Sequence, residues 1–260
     1  MDSNYFPRML EISSRYVPQS IDGLLYKFRS QGKWLEHTLR SKTLYFATVS
    51  EWNDPWDVQT TIDTSCTFDE LLAYHQRILP KEHVHAAHEY TQKYIDDPVN
   101  LHYDINELWS KIASQAGLCA FAGGWKHVLL WSYYAEGHTG VALGFAPLND
   151  IELFNCIYPM RYEKHPPNKY FEHPEQTFVD LMLVKSEVWK HEDERRAWHD
   201  PPGVHPFKKE ALVEITFGAS CQDLYVKHII DICVDSGFNH LQFYKAHKVP
   251  GKYELNRHTI

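Results

Sequence analysis

No run of about 18 apolar residues occurs in this chain, so a membrane-spanning helix is not expected. The opening stretch MDSNYFPRMLEISSRY has no apolar core of the kind a secretory leader carries, and no signal peptide is expected either. There is no CxxC pair among Cys66, Cys119, Cys156, Cys221 and Cys233, which argues against a zinc ribbon and a disulfide framework. A reducing, cytoplasmic compartment follows as the expectation. The 17 histidines form no HExxH and no tight His/Cys cluster, so no metal is expected. Low-complexity segments, internal repeats and a recognisable linker are also missing. Positive charge is in deficit: Lys+Arg 26 against Asp+Glu 34 gives a net charge of -8, which disfavours a nonspecific nucleic-acid grip over the whole surface. A local basic groove stays compatible with that balance.

What is present is globular: 260 residues, 43% hydrophobic and 14% aromatic, enough to bury one large core. Leu24-Leu25-Tyr26-Lys27-Phe28-Arg29 reads as a strand with Lys27 and Arg29 on one side and Tyr26 and Phe28 on the other. Two cations on one face of an apolar strand leave two readings, a sheet edge with its charges in water or an anion site for phosphate or carboxylate. Trp34, Leu35, Thr38 and Leu39 then fall at helical spacing, and the helix ends near Ser41.

TLYFATVSEWNDPWD follows. Leu44, Phe46 and Thr48 alternate with Tyr45, Ala47 and Val49, the pattern of a strand, and Asn53-Asp54-Pro55 supplies turn chemistry. Trp52 and Trp56 flank a carboxylate there, which suits a planar or sugar-bearing ligand as well as it suits a plain core cap. Residues 65 to 115 read as helices, with His75, His83, His85 and His88 on solvated surface. Strands are expected over Leu118 to Ala122, Gly140 to Phe145, Ile157 to Tyr162, Glu210 to Phe217, His240 to Tyr244 and Val249 to Leu255. Helices are expected over Val128 to Ala135, Thr177 to Val184 and Cys221 to Val234. Trp131, Ser132, Tyr133, Tyr134, Glu136 and His138 crowd one connection with more donors and acceptors than a loop needs. Glu192 and Glu194 share a face if their segment is extended, whereas Glu192 pairs with Arg196 if it is helical.

Uneven helical blocks between strands argue for an α+β fold in one domain: a mixed, mostly antiparallel sheet with 65 to 115 as a helical insertion. LLYKFRS, LYFATVSEWNDPWD, LLWSYYAEGHTGVALGF, WKHEDERR and LVEITFG together resemble the bacterial domain-of-unknown-function family 2971, over roughly Leu24 to Tyr253. Tyr133 stands where that family's pattern has His, and Trp52, Trp56 and Asp57 replace its commoner Phe, Phe and Glu. The opening order of elements is also similar to the NAD-binding half of ADP-ribosyltransferases. That second resemblance implies NAD as co-substrate, held by Arg29 and supported by Ser132 or Tyr134, and the residues themselves offer Lys27, Trp52, Asn53, Asp54, Trp56, Trp131 and His138 as further binding candidates. It implies Glu192 or Glu194, with Tyr134, as the catalytic groups, a nucleic acid or protein as acceptor, and a setting such as phage defence. Arg29 and Glu194 are then expected to converge in one cleft, with the NDPWD turn as a wall. Two other readings of the same residues stand beside it. One is a noncatalytic sensor of a nucleotide-like ligand; the other is a metal-dependent nuclease using Asp54, Asp57 and the late glutamates.

Overall fold

The computed structural model describes residues 23–167 and 170–260, and the reading of residues 1 to 22 as a mixed lead-in lies outside them. The protein is α+β, and its described residues divide into two compact units. A sheet unit comprises residues 23–47, Gly117–Met160 and Val188–Ile260, and a helical unit comprises Thr48–Ala116 and Arg161–Glu187.

The sheet unit is built on strands β1 (Leu25–Arg29), β2 (Thr43–Phe46), β3 (Gly117–Ala122), β4 (Val141–Phe145) and β5 (Ile157–Pro159). Strands β8 (Glu194–His199), β9 (Gly203–Pro206), β10 (Leu212–Phe217), β11 (Gln242–Lys248) and β12 (Leu255–Thr259) complete it. Eight of these form one sheet in the order β12-β11-β10-β4-β1-β3-β8-β5, while β2 pairs with β9. Only the β10–β11 pairing in the large sheet is parallel, and helix Asp223–Asp235 connects those two strands. That is the connection a parallel pair requires, because a tight turn cannot reverse the chain twice.

Alternation of side chains gives each face its own core. Leu25, Leu143, Phe145, Ile215 and Phe217 pack on one face with Leu35 and Leu39 of α1 (Lys33–Ser41) and with Ile229 and Ile232 of helix Asp223–Asp235. Tyr26, Phe28 and Ala142 pack on the other face beneath Leu130, Trp131 and Ala135, which belong to or follow helix Val128–Tyr134. Strand β1 is therefore central and flanked by β4 and β3. The edge reading of this strand is incorrect: its two cations stand inside a sheet, not on a margin.

The helical unit holds α2 (Phe68–Ile78), α3 (Ala87–Asp96) and α4 (Pro98–Gln115), with helix Pro174–Leu183 and the parallel pair β6 (Arg161–Glu163) and β7 (Val184–Ser186). Helix α2 starts where Thr67 and Glu70 form a reciprocal capping box, satisfying two backbone donors that a helix start leaves open. Trp109 stacks on Phe178 with centroids 5.4 Å apart.

Four expected elements differ. The alternation through Thr48 and Val49 ends early, since Thr48 and Glu51 form a capping box that folds Val49–Glu51 into a 3-10 turn. Ile157 to Tyr162 is two strands in different sheets, parted at Met160. Val249 to Leu255 is mostly turn, and the last strand starts at Leu255. His75 is buried, with Nδ1 2.9 Å from the Thr91 hydroxyl and its ring stacked on Tyr94, so only His83, His85 and His88 occupy solvated surface.

Candidate functional site

Strand β1 makes five register pairs with β4 but only one with β3, Tyr26 opposite Ala122. Beside that rung the Lys27 side chain adds a second link between the two strands. Its Nζ donates to the Ala120 carbonyl at 2.7 Å and lies 5.4 Å from the Phe121 ring centroid. Arg29 follows two residues on, on the same side by alternation, with Cys119 the nearest group of opposite potential charge. Both cations lie beneath the surface with part of each side chain still accessible.

Burial pushes the Lys27 ammonium below its ordinary pKa of 10.5, the Cys119 sulfur and, less strongly, the Glu194 carboxylate acting against that shift and Arg29 adding to it. Burial also lowers Arg29, again opposed by Cys119. Among the described residues no carboxylate forms an ion pair with either group. Two desolvated cations outside any ion pair are costly to the fold, and an anion brought between them offsets that cost.

On the opposite face helix Val128–Tyr134 brings a second group of residues together. Trp131 is fully buried, edge-on to Phe28 at 5.1 Å, with Nε1 bonded to the Trp125 carbonyl. Its expected role as a ligand wall is thus corrected: the indole is core. Ser132 spends its hydroxyl on the Val128 carbonyl one turn back. His138 stacks on Trp131 at 6.1 Å, in a left-handed conformation with φ 69, and its buried Nδ1 has no hydrogen-bond partner among the described residues. Burial, then Lys248, lowers its pKa from 6.5. Tyr134 Oη donates to Glu192 Oε1 at 2.9 Å, while Tyr133 meets the His191 ring edge-on.

Glu194 and Arg196 form a buried ion pair, Nε to Oε1 2.8 Å, at 2% and 0% side-chain exposure. Glu194 is opposite Ala122, and Ala122 is opposite Tyr26, so Glu194 shares the Tyr26 side of the sheet. Arg29 is three residues from Tyr26 and takes the other side. By strand parity the two side chains leave the sheet on opposite sides, since directly opposed residues share a face and an odd offset along a strand reverses it, while Glu194 still acts electrostatically on Lys27.

The turn expected as a wall belongs to the helical unit. Asp54 Oδ1 accepts from the Trp56 amide at 2.9 Å, and Gln59 reaches the Trp52 carbonyl at 3.2 Å. Asp57 is 3.3 Å from Lys185 in a buried pair, and Trp109 Nε1 donates to the carbonyl of Val58, a β-branched residue at φ 62. These contacts hold Asn53 and Trp56 outward, Trp56 with 76% of its surface exposed, and leave Trp52 half-buried. Asp54 thereby organises the turn. Among the described residues no three His, Cys, Asp or Glu side chains gather around one point.

Two participants escaped sequence reasoning. Cys119 has no local motif, because only the β1–β3 pairing puts it beside Lys27 and Arg29. His191 was hidden in a charge run.

The site defines a class only, an α+β protein with a cationic pair outside any ion pair on its central strand. Compared with family models, curated proteins and solved structures, the chain finds no match.

Proposed function

We propose that the protein binds a phosphate-bearing, nucleotide-like ligand through Arg29 and Lys27. The observation that carries this reading is the pair of part-buried cations on one strand, neither of which forms an ion pair with a carboxylate among the described residues. Guanidinium engages phosphate oxygens through two parallel N–H donors, and Lys27 adds a point charge two residues away. An ADP-containing ligand fits the chemistry, with NAD the first to test. Calorimetric titration of NAD, ADP-ribose and ADP into the full chain measures it. Binding that disappears in Arg29→Gln supports the reading, and the absence of any heat or thermal shift with all three ligands overturns it.

Catalysis on NAD, by ADP-ribosyl transfer to a nucleic acid or protein or by glycohydrolysis, is the second reading, favoured by the Tyr134–Glu192 hydrogen bond. A carboxylate so oriented stabilises an oxocarbenium-like ribose as the bond to nicotinamide breaks. Arg29 and Glu194 on opposite faces weigh against the arrangement that uses both, which leaves Glu192 as the acid of choice. Nicotinamide release separates this reading from a sensor that binds without turnover.

A further inference from the structure

The geometry points to a two-histidine site for a divalent transition-metal ion on the β11–β12 hairpin, formed by His247 and His258. His247 stands opposite Asn256, and His258 opposite Lys245, so the two imidazoles are diagonal neighbours across an antiparallel pair. Their Nδ1 atoms lie 3.5 Å apart, both exposed, with ring centroids at 5.5 Å and planes 38° apart. Two metal–nitrogen bonds of about 2.0–2.1 Å at a tetrahedral angle span ~3.3–3.4 Å. The observed separation therefore admits a chelated ion with little movement. Imidazole nitrogen is a ligand suited to zinc, copper and nickel, whereas calcium and magnesium select oxygen.

Lys245, the cation opposite His258, engages the Cys221 carbonyl with its ammonium. Asn256 Oδ1 is occupied by the Arg257 amide at 2.9 Å. Two imidazoles thus supply two positions, and water fills the others, which makes the site exchangeable in a way a four-ligand structural site is not. A bound ion ties the last strand to β11. The strand it secures carries Arg257, whose guanidinium clasps Glu214 and lies 3.9 Å from the Tyr244 ring centroid. The residues are eleven apart in sequence, a spacing no metal motif uses, and only the hairpin register brings them together.

Zinc chloride titrated into the full chain, with the imidazole 1H–15N signals assigned for His247 and His258, tests the site. Both rings are expected to respond together and to saturate at one ion per chain. His247→Ala and His258→Ala are each expected to weaken that binding by at least about tenfold, since even supporting groups of metal sites are worth that much. Each variant should melt as the parent does without zinc, because both side chains are exposed; His83→Ala and His85→Ala leave the zinc response unchanged. Ring signals that ignore zinc, or undiminished affinity in either variant, overturn the proposal.

Discussion

Lys27 Nζ donates to the carbonyl of Ala120 at 2.7 Å, bridging two strands that pair at a single rung. A lysine in that position holds the fold together and strains it at once, and the balance depends on pH. Its folded pKa lies below the unfolded one, so between the two values the unfolded chain binds more protons. Stability therefore rises with pH across that window, below the ordinary value of 10.5, as the buried charge is relieved. Urea unfolding at a series of alkaline pH values should show this upward slope, and Lys27→Met should remove it.

Arg29→Met should leave stability unchanged or raise it while abolishing anion binding. A desolvated guanidinium without a carboxylate costs the fold, and an apolar side chain of similar length does not. A loss of more than about 3 kcal/mol, the scale seen when a buried partnership is broken, would assign Arg29 a structural role instead.

For Glu194 the sign reverses. Glu194→Ala leaves Arg196 charged and fully enclosed, at an expected cost of about 3–5 kcal/mol in urea unfolding. Glu194→Leu with Arg196→Met should recover much of that loss, because the buried charge disappears together with its partner. Single-variant stability within experimental error of the parent would show that the pair is not buried in solution.

Tyr134→Phe and Glu192→Gln separate turnover from binding. If NAD is cleaved, Glu192→Gln should lower the maximal rate with little change in NAD affinity, and Tyr134→Phe should do so less. Equal weakening of binding in both variants, with no nicotinamide released by the parent, favours the sensor.

Gly140→Ala tests the backbone beside Arg29. A methyl there meets the Arg29 carbonyl oxygen at 2.1 Å, a backbone atom that cannot swing aside. A loss of at least about 1–3 kcal/mol is expected from thermal or urea unfolding, the ordinary cost of overpacking.

Much of this was local and hence legible from residue order alone. Alternation in LYKFR put Lys27 and Arg29 on one side, helical spacing gave α1, and Asn-Asp-Pro marked the turn whose Asp54 caps the Trp56 amide. What a side chain faces is a different matter, decided by strands far apart in sequence. β1 became central only because β4 and β3 close on it. Trp131 became core because Phe28 stands beneath it, Arg29 and Glu194 parted because three strands lie in one register, and His247 met His258 across a hairpin. Sequence by itself determined which chemical groups each element carries, since backbone periodicity is set within a few residues. Only the tertiary structure decided which of them are buried, paired or left uncompensated, since burial and charge neutralisation depend on neighbours that the chain brings together by folding.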